Sequence, residues 1–421
     1  MKDQLHTIIE EQGTEMIELG RTLFNTPELG YKELETKKIL VDFLKKEGFE
    51  VEQEYCVSGF SVSLGSGHPH IGLIAEMDAI PTLGHPCANT NDNNAAHACG
   101  HSTQGAAMVN ALVALKKSGL VKEGKITLFF CPAEEFTDLP YRHQLIAEGK
   151  IDYIGGKINM IQQGLFDDVD VCLHCHAMGG SPYYFAIHSQ LAGFVYKKFT
   201  FKGTASHAAV LPHLGHNALN MFALFQCAAG MMRETFEDED KNRFHGIVVE
   251  GGQTVNSIPE RVVYESYIRS FNGKKMLELS DQYTDMAKHC AAALGGDCEV
   301  ENIPGYLPFK PCVQLGEVVR GNMLRFVGED QILTDERSVA AGDIGDLGCF
   351  KPTIQFGYGG VSGAIHGASM AIADEHRVYV QNAEIIADTV IDLLYTDGLV
   401  EDIVRNFEPS MDKESHKAYL G

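Results

Sequence analysis

Two segments carry residue types at spacings that could do chemistry: His97-Ala98-Cys99-Gly100-His101 and Cys131-Pro132-Ala133-Glu134-Glu135. A thiol and an imidazole two residues apart suit a soft divalent ion such as zinc, and Gly100 lets the backbone bend so that Cys99 and His101 can converge. Alone, such a pair is more often unrelated side chains than two ligands. Adjacent carboxylates repel when buried unless a cation or proton compensates. Behind the apolar Leu128-Phe129-Phe130, Glu134-Glu135 therefore fits metal chemistry better than a solvated surface pair. Three more apolar runs end in similar groups: Ile71 to Ala75 in Glu76 and Asp78, Val169 to Leu173 in His174-Cys175-His176, and Thr353 to Phe356 in a Gly-rich loop ending at His366. In parallel α/β sheets the ligand site lies beyond the carboxyl ends of the strands, so these groups belong at one edge of one sheet.

Two other patterns fail on context. Cys172-Leu173-His174-Cys175-His176 matches the haem-attachment spacing, but a covalent cofactor in an apolar strand would destroy the core, and haem attachment requires export. Gly155-Gly156-Lys157 lacks the first glycine of a phosphate loop at the required spacing.

The elements that must position the site alternate between amphipathic helices and short apolar strands, which predicts an α/β domain with a largely parallel sheet. Helices are expected over Glu35 to Glu47, with Ile39, Leu40, Phe43 and Leu44 on one face, and over Gly105 to Lys117, with Val109, Leu112 and Leu115. From Phe194 to Ile303 the rhythm changes to strand, helix, strand, strand, helix, strand, the βαββαβ order of a ferredoxin-like fold. The expected architecture is a mixed, largely parallel sheet flanked by helices (residues 1–190 and 304–421) with an inserted ferredoxin-like domain (residues 191–303). A Pro-rich link at Pro304, Pro308 and Pro311 returns the chain to the first domain.

Bulk properties bound the function. The 421 residues suit two domains and a cleft. With 44% hydrophobic and 22% charged residues the chain reads as globular. No long uncharged apolar run predicts a membrane span, and the Glu- and Gln-rich start does not read as a signal peptide. Eleven cysteines spread through a long chain do not form a disulfide framework, so a reducing, cytoplasmic setting is expected. The net charge of -23 argues against nucleic acid and anionic membranes as partners.

Read in order, these segments resemble the two-metal amidohydrolases and carboxypeptidases that include carboxypeptidase G, hippurate hydrolase, plant auxin-conjugate hydrolases and aminobenzoyl-glutamate hydrolase. The likeness runs from Pro27-Glu28-Leu29-Gly30, Glu33 and Thr36 through Met77-Asp78-Ala79-Ile80-Pro81, the Cys99 and Glu134 segments and Gly155-Gly156-Lys157. It continues in Gly164-Leu165-Phe166-Asp167-Asp168-Val169-Asp170, Phe201-Lys202-Gly203, Ser206-His207-Ala208-Ala209 and Asn256-Ser257-Ile258-Pro259, and ends in Asp343-Ile344-Gly345-Asp346 and His366. The Gly-Gly-Lys and Phe-Asp-Asp-Val-Asp stretches look closest to the aminobenzoyl-glutamate hydrolase branch.

The resemblance implies that Cys99, His101, Glu135, His176 and His366 hold metal and that Glu134 is the catalytic base. Five protein ligands exceed the three of a single catalytic zinc, so two divalent ions, zinc or manganese, are expected. His176 matches the family spacing from Asp170, with His174 as the alternative. Asp78 is expected to orient a ligating imidazole from behind. In the inserted domain the resemblance implies a homodimer, with His207 steadying the developing oxyanion across the dimer and Asn256 near the substrate carboxylate; Arg269 is a further candidate there. Ile74, Glu76, Ser102 and Ala341 depart from residues usual in the branch, which bears on the substrate and not on the ligands. The expected activity is hydrolysis of the amide bond of a small N-acyl or N-aroyl amino acid, or of a dipeptide with a free carboxylate. The competing expectation is a metal-stabilised, non-catalytic subunit or binding protein, which has no use for an unligated base.

Overall fold

The computed structural model describes residues 1–421, and the chain divides into two compact units. The first comprises Met1–Gln190, Lys310–Glu336 and Asp346–Ser415; the second comprises Leu191–Phe309, Arg337–Gly345 and His416–Gly421. Three short stretches from residue 304 onward, 304–309, 337–345 and 416–421, thus group with the second unit, where sequence rhythm alone gave no reason to separate them from the first.

The first unit opens with helices α1 (Lys2–Glu11), α2 (Gly13–Phe24) and α3 (Leu34–Lys46), then strands β1 (Val51–Tyr55), β2 (Gly59–Ser66) and β3 (His70–Glu76). Helix α4 (His101–Ser118), strand β4 (Gly124–Cys131), helices α5 (Leu139–Ala147) and α6 (Gly156–Gln162), and strands β5 (Val171–Ala177) and β6 (Phe185–Ile187) follow. In the second unit come β7 (Gly193–Lys202), α7 (Ala218–Met232), β8 (Arg243–Glu250), β9 (Arg261–Ser270), α8 (Gly273–Ala293) and β10 (Asp297–Pro304). Back in the first unit are α9 (Val313–Met323), β11 (Ile332–Thr334), β12 (Thr353–Tyr358) and α10 (Asn382–Tyr395).

The large sheet has the order β1-β2-β4-β3-β5-β12-β6-β11. Strands β4, β3, β5 and β12 are mutually parallel, and β1, β2 and β6 introduce antiparallel pairings. Leu73 pairs with Leu128 on one side and Leu173 on the other, and Leu173 pairs with Ile354, so one apolar row crosses the four parallel strands. Such strands are covered on both faces, which is why they read as continuous apolar runs and not as alternation. The carboxyl ends of all four point to the same edge. The mixed, largely parallel sheet expected from the sequence is observed.

Two local expectations are corrected. Helix α4 begins at His101, four residues before Gly105, and its residues from His101 to Leu115 are buried on every side, not on one face. Ala106, Ala107, Ala111 and Ala114 are small enough to let it pack against α1, α2, α10 and the sheet. Strand β5 spans Val171–Ala177 in place of Val169 to Leu173, because Val169 closes a turn through its bond to Phe166 O. His174 and His176 therefore lie within the strand and, two apart, share one face.

The second unit is a four-stranded antiparallel sheet, β8-β9-β7-β10, with α7 and α8. Its core is aromatic, with Phe199, Phe225, Phe244, Tyr264 and Tyr283 packed on one another. Asn217 caps α7 by accepting from Leu219 N and Asn220 N.

Candidate metal centre

Each group at the carboxyl edge of the large sheet is fixed by backbone geometry. Gly100, with φ 94°, caps α4 in the left-handed region, so Cys99 and His101 turn the same way at the helix start. Ala133 (φ 54°) and His366 (φ 62°) also adopt the left-handed region, a conformation unusual for residues bearing a Cβ. The Ala133 N–H donates to Glu33 Oε1 at 2.9 Å, which aims the next two residues, Glu134 and Glu135, away from β4. His366 donates its backbone N–H to Ala98 O at 2.7 Å, tying the late loop to the Cys99 segment.

The side chains converge. Ligand atoms of Cys99, His101 and His176 lie within 4.8 Å of one another, as do those of Cys99, Glu135 and His366, and those of His101, Glu134 and Glu135. Cys99 Sγ is 3.4 Å from His176 Nε2, and His366 Nε2 is 3.1 Å from Glu135 Oε1. Glu134 Oε2 stands 3.8 Å from His101 Nε2. His174 points elsewhere: its Nδ1 meets Gln355 Oε1 at 3.0 Å and its Nε2 lies 3.3 Å from Glu76 Oε1. Geometry thus groups His176, and not His174, with the other candidates.

Behind these groups stands Asp78, fully buried. Its Oδ1 accepts from His101 Nδ1 at 3.0 Å, which leaves His101 Nε2 free to face the cluster, and its Oδ2 accepts the Glu135 N–H at 2.8 Å. Burial is the largest single influence and opposes the Asp78 charge, but the bond and charge of His101, the Glu135 N–H and the Arg142 charge together hold the carboxyl below its usual range. Burial pushes the Cys99 thiol well above its usual pKa, with the Glu135 charge adding to the effect, and lowers His176 to about 4.

Neither Glu76, at the end of an apolar run, nor Lys157, in a Gly-Gly-Lys stretch of the resemblance, receives a role in the site from the sequence. Both are buried, and Lys157 Nζ donates to Glu76 Oε1 at 2.6 Å. Lys157, followed by His174 and His101, overcomes desolvation and keeps Glu76 well below the usual carboxyl range. Gly156 has no room for a side chain, since a Cβ would lie 1.7 Å from Pro132 O. This close approach brings α6 beneath the Glu134 loop and sets Lys157 in place. The usable signal was a lysine following two glycines, at the start of a short, otherwise apolar helix.

This donor set fits divalent cations. His101 Nε2, 3.2 Å from Glu76 Oε2, and Glu135 Oε1, 3.1 Å from His366 Nε2, are buried and in ion-pair contact yet make no well-aligned hydrogen bond, which leaves each with capacity for a further partner. The buried carboxyls of Glu76, Asp78, Glu134, Glu135 and Asp343 outnumber the cations Lys157 and Arg142 even with His101 protonated, so further positive charge would stabilise them.

The candidates of the second unit form a separate group. His207 and Ser257 form an isolated antiparallel bridge, and Ala208 N donates to Asn256 O at 2.9 Å, placing His207 beside Asn256 on exposed loops. His207 Nδ1 accepts from Val210 N at 3.1 Å, so in the neutral ring Nε2 carries the proton and can donate. Arg269 is not with them. It donates to Val339 O at 2.9 Å and lies over the rings of Phe194 and Tyr267, near the far end of β9 from Asn256.

The model of peptidase family M20/M25/M40 matches residues 72–392. Human Xaa-Arg dipeptidase is 27% identical over 445 residues, covering 96% of this chain and 92% of the relative. A p-aminobenzoyl-glutamate hydrolase component from Escherichia coli is 28% identical over 306 residues, 70% of this chain and 58% of the relative. A solved dinuclear metal-binding peptidase of the M20 family from Bacillus subtilis has the same fold, with a TM-score of 0.69 at 19% identity over 92% of this chain and 99% of that one. The resemblance drawn from the motifs is borne out.

Proposed function

The chain belongs to peptidase family M20/M25/M40, and from that premise we propose that it hydrolyses the amide bond of a small substrate with a free carboxylate, using Glu134 as general base. The substrate is an aminobenzoyl-glutamate-like N-acyl or N-aroyl amino acid, or a dipeptide. The dipeptide reading is favoured by the human relative, whose likeness spans nearly both chains. The observation that carries the proposal is the convergence of Cys99, His101, Glu135, His176 and His366 beside Glu134.

One thiolate, three imidazoles and a carboxylate suit two divalent ions, zinc or manganese. Bound there, such ions lower the pKa of water and polarise the scissile carbonyl. The protein's own part is proton handling. A carboxylate oxygen of Glu134 takes the proton of the attacking water and returns it to the leaving amine nitrogen. Asp78 keeps His101 in the tautomer that offers Nε2.

We assign to the second unit a dimerising role. Its edge strand β8 exposes Ile247, Val248 and Val249, and α7 exposes Leu224 and Met231, an apolar sheet edge suited to a second copy. Through that homodimer, His207 Nε2–H serves the oxyanion of the partner's substrate and Asn256 its carboxylate. Arg269, already engaged with Val339 and two rings, is left out of the assignment. A cytoplasmic setting suits eleven cysteines that are all free. No helix is long and apolar enough to cross a membrane.

The test is product analysis by mass spectrometry on purified protein supplied with zinc or manganese, against aminobenzoyl-glutamate, hippurate and dipeptides ending in arginine. Turnover that falls at least about a hundredfold in Glu134→Ala while both ions stay bound supports the reading. Bound metal with no turnover on any of these substrates favours the non-catalytic alternative.

A further inference from the structure

Arg142, on α5, is fully buried and has no carboxylate within ion-pairing distance. A guanidinium in that state is costly unless its donors are spent on other acceptors. Nε makes no hydrogen bond; Nη1 and Nη2 are spent on the loop that carries the proposed base and on Ile154. Nη1 faces Ala133 O at 3.4 Å and Ile154 O at 3.1 Å, and Nη2 donates to Glu135 O. The two carbonyls in that loop belong to the residues on either side of Glu134.

Both faces of these peptides are held. The Glu135 N–H goes to Asp78 and its C=O is shared by Arg142 and the Thr137 N–H; the Ala133 N–H goes to Glu33 and its C=O is shared by Arg142 and the Gly156 N–H. Ala133 sits at φ 54°, which the chain does not adopt without external restraint. The guanidinium reaches the loop only because residue 30 is glycine, since a Cβ there would lie 2.6 Å from Arg142 Nη2 and 2.8 Å from Ala133 Cα. Its plane lies over the ring of Tyr31, 5.5 Å from the centroid, which fixes its approach.

We propose that Arg142 is a positioning residue: its rigid fork holds the carbonyls of Ala133 and Glu135 and thereby sets where Glu134 and Glu135 stand in the metal centre. The proposal rests on the reading of that centre as the active site. It assigns Gly30 a role as well, that of leaving a passage for the guanidinium. Lysine, a single point donor, can satisfy one carbonyl at a time and replaces the fork only in part.

The test uses the full-length protein loaded with cobalt, whose thiolate and ligand-field absorption reports the geometry at Cys99 and its neighbours without any turnover. Arg142→Gln and Gly30→Ala are expected to alter the cobalt spectrum and weaken cobalt binding about tenfold or more, with Arg142→Lys in between. On a substrate that the wild type turns over, kcat is expected to fall about a hundredfold in Arg142→Gln with KM little changed. A purely structural arginine gives a different result: a lower melting temperature for the metal-free variants, with the cobalt spectrum and affinity of the folded protein unchanged. That result overturns the proposal. A wild type that shows the cobalt spectrum but cleaves no substrate counts instead against the proposed function, and the spectral comparison still decides the role of Arg142.

Discussion

Asp78 accepts the backbone N–H of Glu135 on one carboxylate oxygen at 2.8 Å while the other holds the ring of His101, so one buried acid sets two candidate ligands. Asp78→Ala frees both at once. Metal affinity is expected to fall by about 10- to 100-fold, the range for outer partners of ligating histidines, and equilibrium titration with a competing chelator measures it.

Cys99 is the only soft donor in the cluster, and its buried thiol ionises only beside a cation. Cys99→Ser leaves an oxygen in its place. Zinc affinity is expected to drop much further than manganese affinity, because thiolate favours the softer ion. Competition between the two metals, read by elemental analysis of the recovered protein, checks this; an unchanged zinc preference removes Cys99 from the ligand set.

His6 on α1 faces two acids of α10: its Nε2 is 3.0 Å from Asp388 and its Nδ1 3.4 Å from Glu384, with Arg325, Glu10 and His376 nearby. The bond to Asp388 raises the His6 pKa against the effect of burial, and burial raises Glu384 to about 7. Both groups bind their protons more tightly when folded. Their stabilisation is complete below the unfolded values and is lost as pH rises, for Glu384 between its ordinary 4.5 and about 7. Relative to wild type, Glu384→Gln should therefore gain melting temperature as pH increases across that window. A constant difference at all pH values would exclude Glu384 as the titrating group.

The exposed edge of β8 is predicted to pair two copies. Val248→Lys places a charge in the centre of that edge, a common device against strand pairing. Sedimentation should show dimer converting to monomer, while stability of the single chain changes by no more than about 0.5 kcal/mol because Val248 is 46% exposed.

How much of this was readable beforehand follows a physical division. Strands β3, β4 and β12 were legible because a strand covered on both faces must be apolar throughout, and the residues that end such runs stand out. His176 was legible only through its spacing from Asp170, since two histidines on one face of a strand look alike until their neighbours are known. Arg142 left no trace, because nothing local marks an arginine that binds carbonyls supplied by a loop and a turn elsewhere in the chain. Lys157 was visible but misleading: its two glycines resembled a fragment of a phosphate loop, whereas Gly156 exists to let one backbone approach another. Helix α4 looks amphipathic from Val109, Leu112 and Leu115 alone, whereas its alanines are buried contact surface as well.

Strand β12, sixth of the eight strands of the large sheet, is encoded after all four strands of the second unit's sheet. During synthesis, β5 therefore emerges with one side open, and β6 emerges with neither of its neighbours, β12 and β11, yet made. All four strands and both helices of the second unit are made before β12. His366 is translated later still, so the thiol, two imidazoles and carboxylates stand assembled but incomplete on an unfinished sheet. A ribosome that stalls before residue 353 releases a chain with an exposed strand edge at its centre, a species prone to aggregate.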